Sequence, residues 1–337
     1  MRSNSSEPRG VSNVTGQLEE FAHLPFTLLY AVIIVLGFLF NAGALWVFSR
    51  HIRLRSGTAV YMRNLATADL LLVCFLPFRI TSYYQRNTST RLACEITTLI
   101  FLINMYTSIF FLACISLDRC VATLLPLRLP LRRLHRAAPW VSALVWTLSV
   151  SASLPPYFIL KFSGGSNNTS DNCLRPVAVT KRLTVGFTLC IGFGLPFCLL
   201  IVCSLLALRQ LRKGKSQGSQ LLKAHKTQRM IVANLLIFTF CFLPYHALLC
   251  FYKGLEDRSQ ETAVQLFQGA QLLASSNAVL DPVLYYFTTE AFQKTHLVSA
   301  VRSLMTCRCW SVGSASARDR GKQPSEAVTF ISVSKAL

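Results

Sequence analysis

The chain has 337 residues, 52% of them hydrophobic and only 14% charged, with a formal net charge of +20. A soluble domain carries about 25% charged residues, so this composition argues against a water-solvated globule and for a bilayer. So large a positive charge would suit nucleic acid, but its placement in short loops, described below, argues against that partner.

Residues 1–24 are polar and form the expected extracellular N-terminus, with the glycosylation acceptors Asn4 and Asn13. No short apolar region with a cleavage site precedes the first apolar stretch, which is expected to act as its own insertion signal. That stretch, 26–48, carries Gly37 and Asn41 and is followed by Arg50, Arg53 and Arg55. The second, 59–78, holds Asp69, with Arg79, Tyr83 and the acceptor Asn87 beyond it. The third, 96–117, carries Asn104 and Ser108, follows Cys94, and leads into Asp118-Arg119-Cys120 and the basic residues Arg128, Arg132, Arg133 and Arg136. Trp146 and Pro155 mark the fourth, 140–160, which precedes Asn167, Asn168, Cys173 and Arg175. The fifth, 183–208, contains Pro196 and Ser204 and runs into Arg209, Arg212, Lys213, Lys215 and Lys223. In the sixth, 230–252, Cys241-Phe242-Leu243-Pro244 is followed by His246, with Lys253 next in the chain. The seventh, 265–287, holds Asn277 and Asp281-Pro282-Val283-Leu284-Tyr285.

Each stretch meets the ~20 residues that a helix needs to cross a hydrocarbon core, and only helices or closed barrels satisfy their backbone there. The expected fold is an all-α seven-helix transmembrane bundle over 25–288. A short amphipathic eighth helix is expected over 289–304, with Phe292, Leu297, Val298 and Val301 toward lipid. A disordered serine-rich tail follows at 305–337, with candidate phosphosites. The basic segments follow the first, third and fifth stretches, so they share one side. Short basic loops stay cytoplasmic, which puts the N-terminus outside the plasma membrane and the C-terminus inside. Every glycosylation acceptor then falls outside, an independent agreement. Cys94 and Cys173 face the oxidising side, where a disulfide is chemically permitted. Cys307 and Cys309 lie beyond the seventh stretch and suit palmitoylation. No Cys/His spacing suggests zinc.

A carboxylate in the membrane costs at least about 2.5 kcal/mol, so it is rarely there without a partner and a role. Asp69, Asn104, Ser108, Asn277 and Asp281 are expected to converge, since Asn104 and Ser108 share a helix face. Their oxygens suit a small hard cation; the plainer reading is a hydrogen-bonded network without one. Arg79, with Tyr83, Lys253, Arg175 and His246, forms a cationic mouth beside Phe101, and no acidic residue is expected in the outer half of the third helix. Arginine matches phosphate or carboxylate through its bidentate fork. The plainer readings are an outward-reaching Arg79 and a hydrogen-bonded core His246.

The ordered set of polar positions, from Gly37 and Asn41 through Asp69, Asp118-Arg119-Cys120, Trp146, Pro196 and Phe242-Leu243-Pro244 to Asp281–Tyr285, resembles the rhodopsin-like (class A) G-protein-coupled receptors over roughly residues 25–305. Asn104-Met105-Tyr106, the run Phe242 to Tyr245 and Asp281 resemble the purinergic and lysophospholipid branch. Within it the non-Edg lysophosphatidic acid receptors, subtype five notably, are the most similar, and a receptor linked to kynurenic acid and lysophospholipids is nearly as similar. This resemblance implies a cell-surface receptor for an anionic lipid that signals through a heterotrimeric G protein, with arrestin and receptor kinases as further partners. A nucleotide or a small aromatic or hydroxy carboxylate is the alternative ligand. It also implies an allosteric sodium ion at the polar cluster, with no other cofactor, and switch roles for Asp118, Arg119, Phe242, Pro244 and Tyr285. Phe242 stands where the family has tryptophan, while Cys120 and Ser204 replace family tyrosines. Glu256 and Val264 lie where similar lysophosphatidic acid receptors carry basic residues. A transporter would need repeats or broken helices, a retinal protein a lysine in the last stretch, and an enzyme a nucleophile–base pair or metal ligands; none is seen.

Overall fold

The computed structural model describes residues 9–50, 57–84, 88–125, 128–163, 182–213 and 219–288. The expected eighth helix and tail lie outside these residues, as do Asn4, Asn87, Asn167, Asn168, Cys173, Arg175, Cys307 and Cys309. So do the side chains of Asn13, Tyr83, Cys94, Lys253 and Tyr285. Every regular element among the described residues is helical: α1 (Arg9–Arg50), α2 (Gly57–Tyr84), α3 (Thr88–Leu124), α4 (Arg128–Ser163), α5 (Arg182–Phe187), a π-helical turn (Thr188–Gly194), α6 (Leu195–Lys213), α7 (Ser219–Glu256), α8 (Gln260–Ser275) and α9 (Asn277–Thr288).

The first four crossings and the sixth are single helices that overrun the apolar stretches at both ends, because the backbone ladder continues into polar sequence beyond the lipid. The span in α3 is 67% buried, against 28% for the spans in α1 and α4, so α3 is the axis of the bundle. It packs on α2, α4, α6 and α7. Outward-facing Trp46, Leu144, Leu236 and Phe251 are exposed, as in a protein whose outer solvent is hydrocarbon. This is a multi-pass membrane protein.

The fifth crossing is not a uniform helix. Pro196 has no N–H to donate, and the ladder widens just before it: the Leu195 N–H bonds to the Cys190 carbonyl, five residues back. Glycine makes room for this turn. A Cβ at Gly192 would lie 2.9 Å from Cε1 of Tyr106, and one at Gly194 would lie 2.8 Å from the Leu189 carbonyl oxygen.

The seventh crossing corrects the expectation of one helix over 265–287. Ser259 caps the start of α8 by accepting the Thr262 N–H at 3.4 Å. At Ser276 the helix breaks. Its hydroxyl donates to the Leu273 carbonyl at 2.6 Å, the acceptor that the Asn277 N–H has in a continuous helix. Val279 and Leu280 then both bond to the Ser276 carbonyl, at 3.0 and 3.2 Å, and α9 begins at Asn277. Proline 282 leaves the Ala278 carbonyl without its in-helix donor. Asn41 of α1 supplies one at 2.7 Å and also bonds the Gly37 carbonyl at 2.9 Å. A Cβ on Gly37 would meet Val73 at 2.8 Å, so glycine there allows α1, α2 and α9 to close up.

Two further side-chain bonds tie helices together. Trp146 of α4 donates to Asn64 of α2 at 3.1 Å, and Asn234 of α7 donates to the Leu112 carbonyl of α3 at 3.0 Å. Such bonds in a membrane are worth on average about 0.6 kcal/mol each.

Candidate functional site

The break at Ser276 aims Asn277 into the bundle, where the five expected polar residues meet. Asp69, Asn104, Ser108, Asn277 and Asp281 are all buried. Asn104 donates to Asp69 Oδ1 at 3.0 Å. The Asn277 amide nitrogen faces Ser108 Oγ at 3.0 Å, Asp69 Oδ1 at 3.4 Å and Asp281 Oδ2 at 3.4 Å. An amide has two hydrogens for these three acceptors. Asp69 Oδ2, Asp281 Oδ1 and Asn277 Oδ1 are buried and take no N–H or hydroxyl among the described residues, and the Asp69 and Asp281 carboxyl groups lie within hydrogen-bond reach of each other. The cluster is thus rich in oxygen and short of donors, which fits a small hard cation or a proton shared between the two carboxyls. Among the described residues no group of three or more His, Cys, Asp or Glu gathers, so the donor set is oxygen from two carboxylates, amides and a hydroxyl.

Toward the other end of α2, Arg79 is buried rather than turned outward, with a relative exposure of 2%. Its Nη2 donates to Gln271 of α8, and its guanidinium carbon lies 5.7 Å from the centroid of the Phe101 ring. From Phe101 the aromatic wall continues to Tyr245 at 5.9 Å, Phe267 at 5.0 Å from Tyr245, and Tyr252 at 5.6 Å from Phe267. A cation spanning α2 and α8 above an aromatic wall can bind an anionic group whose remainder is apolar. One expectation for this region needs correcting. Because α3 starts at Thr88, its outer half does contain an acid, Glu95, and it is buried.

His246 lies in the interior of the bundle. It is buried, its Nδ1 bonds the Phe242 carbonyl at 2.8 Å, and its ring stacks on Phe193 at 4.2 Å and 13°. The partner is a carbonyl, so Nδ1 carries the hydrogen, and Nε2 is the ring atom without a hydrogen-bond partner among the described residues. Phe193, Phe197 and Phe238 continue the stack at 5.2–5.7 Å, and Phe242 meets Phe238 edge-on at 5.5 Å. This column joins the π-helical turn and α6 to α7 just before Pro244, where the loss of an N–H weakens the helix.

At the basic end of the bundle Asp118 is buried, and its Oδ2 takes Arg119 Nη2 at 2.7 Å. Thr58 of α2 donates to the same oxygen and accepts from Arg119. Arg119 is therefore held inside the bundle end, with 22% of its side chain exposed. Ser204 faces Ser116 across α6 and α3, with 3.3 Å between hydroxyls.

Sequence reasoning did not single out Gln271, Thr58 or His135, which also lies beside Asp118. Gln271 had a signal, a buried amide in an apolar stretch. Thr58 and His135 sit ahead of their stretches and had none.

Comparison with known proteins gives these positions a frame. The family model described as 7 transmembrane receptor (rhodopsin family) matches residues 40–285. The chain is similar to lysophosphatidic acid receptor 6 of Mus musculus, 34% identical over 290 residues, or 82% of this chain and 84% of that receptor. It is also similar to lysophosphatidic acid receptor 4 of Homo sapiens, at 32% over 284 residues, 80% of this chain and 76% of the other. Lysophosphatidic acid receptor 5 of Bos taurus is 33% identical over 311 residues, 88% of this chain and 83% of the other. Identities this even do not separate one subtype from another.

Proposed function

The chain belongs to the rhodopsin family of seven-transmembrane receptors, and we propose that it is a plasma-membrane receptor for an anionic lysophospholipid such as lysophosphatidic acid. As a member of that family it is a G-protein-coupled receptor and not an enzyme. The observation that supports the ligand class is the buried Arg79, bridging α2 and α8 over Phe101. An ionisable side chain buried at membrane depth is rarely kept there without a function. A phosphate headgroup matches its fork, and Phe101, Tyr245 and Phe267 offer the acyl chain an apolar wall. Lys253 and Arg175 are proposed as further basic contacts, with Tyr83 as a polar one.

The basic end of the bundle, with Arg50, Arg119 and Arg209, faces the cytoplasm in this reading, and the N-terminus lies outside. Agonist shifts the receptor toward a state that accepts the G protein only by binding that state more tightly. Pro244 and the aromatic column under it are the place where α7 pivots, and release of Arg119 from Asp118 and Thr58 frees it to meet the G protein. A sodium ion would be held by Asp69, Asp281, Asn277 and Ser108, supplying the positive charge that the cluster lacks and favouring the closed state. Arrestin and receptor kinases are proposed to act on the phosphorylated tail.

Cells expressing the receptor at the surface are expected to answer lysophosphatidic acid with a calcium or cyclic AMP response that untransfected cells lack. Silence toward this lipid, with a response to nucleotides or aromatic carboxylates, would replace the ligand class and leave the family untouched.

A further inference from the structure

The guanidinium of Arg79 is held at two points. Its Nη2 donates to Oε1 of Gln271, and its central carbon lies 5.7 Å from the centroid of the Phe101 ring. The first point comes from α8 and the second from α3, so helices other than its own set where the fork points. Gln271 is 5% exposed, and one helical turn before it Phe267 packs on Tyr245 and Tyr252. The same face of α8 thus supplies the acceptor and part of the aromatic wall. The chemistry of that acceptor matters as much as its place. Ionisable groups at membrane depth often pair with one another, and a glutamate would span the same gap as this glutamine. The chain has an amide instead. Its carbonyl orients the guanidinium but adds no negative charge, so the two side chains together stay cationic. A carboxylate there would make the two neutral overall and would occupy the fork that a phosphate matches.

We propose that Gln271 is a positioning and specificity-determining residue for the anionic ligand: it aims Arg79 across the bundle without cancelling any of its charge. The inference rests on the reading of Arg79 as the anchor of an anionic amphiphile and deepens it, because it names the residue that sets the charge preference of that site. An amide at this position favours an anionic headgroup, and a carboxylate would disfavour one.

The test compares Gln271→Glu, which keeps the size, with Gln271→Met, which keeps much of the volume but removes the acceptor, in the full chain at matched surface density. One readout is the lysophosphatidic acid concentration for half-response in cells. The other is the dodecyl phosphate concentration that gives half of the rise in unfolding temperature of the purified receptor in neutral detergent. Gln271→Glu should need about ten-fold or more of either anion, since an internal pair replaces the charge-assisted bond to the headgroup. Gln271→Met should need about two- to ten-fold more, the worth of one orienting bond. In the Arg79→Gln background Gln271→Met should add less than about two-fold, because a positioning residue acts only through the group that it positions. A Gln271→Glu receptor within about three-fold of wild type, or a Gln271→Met loss that is undiminished without Arg79, would overturn the proposal and leave the ligand class standing. A wild type silent to lysophosphatidic acid, whose stabilisation by dodecyl phosphate is still lost in Gln271→Glu, would support the proposal and replace the lysophospholipid. A wild type that neither responds nor is stabilised would overturn both.

Discussion

Asn41 donates to the carbonyl oxygen of Ala278 at 2.7 Å, the one carbonyl that Pro282 strips of its helical partner. The first and last crossings are joined where the last one is weakest, and the Asp281 carboxylate sits one residue before that proline.

Asn41→Leu should therefore destabilise the bundle. It removes two buried bonds, and membrane side-chain hydrogen bonds are worth about 0.6 kcal/mol on average and up to about 1.7. The midpoint of thermal unfolding in detergent should fall by roughly 2–4 °C per kcal/mol lost. An unchanged midpoint would mean that the Ala278 carbonyl finds another donor at no cost.

The polar cluster predicts a sodium effect with a defined origin. Replacing sodium by choline should raise agonist affinity in wild-type membranes. Asp69→Asn removes a charge and one of the carboxylate oxygens that would hold the ion, so it should erase the difference between the two salts. A sodium effect that survives this substitution would place the ion elsewhere.

His246 offers a sharp contrast between packing and ligand contact. Its ring belongs to the stack with Phe193, so His246→Phe should keep the agonist concentration for half-response within about three-fold, as a substitution that changes little in packed volume. A loss of ten-fold or more at normal surface density would instead show that Nε2 reaches the ligand.

The chain's architecture was readable because lipid enforces it. Seven apolar stretches, the interior carboxylates Asp69 and Asp281 and the basic loops each have one economical explanation in a bilayer. The meeting of Asn104 and Asn277 on Asp69, with Ser108 on Asn277, was legible from helix spacing together with family resemblance. Three features were not. The break at Ser276 depends on which carbonyl a hydroxyl takes, and a serine reads the same inside an unbroken helix. The π-helical turn before Pro196 depends on whether Tyr106 of another helix needs the space at Gly192. The partners of Asp118 come from Thr58 and His135, at the polar ends of other helices, where hydropathy carries no signal. Glu95 escaped notice for a related reason: α3 extends well beyond its apolar stretch.

The most direct test of the ligand reading is the response to lysophosphatidic acid, and to the monoacylglycerol that lacks its phosphate, in cells expressing wild type or Arg79→Gln at equal surface density. A charge-assisted bond to a buried arginine is worth about 1.5–3 kcal/mol, so Arg79→Gln should need about 10- to 150-fold more lysophosphatidic acid for half-response, while wild type stays silent to the neutral lipid. An Arg79→Gln receptor that responds at wild-type concentrations, or a wild type that answers both lipids alike, would contradict the assignment of Arg79 as the headgroup anchor.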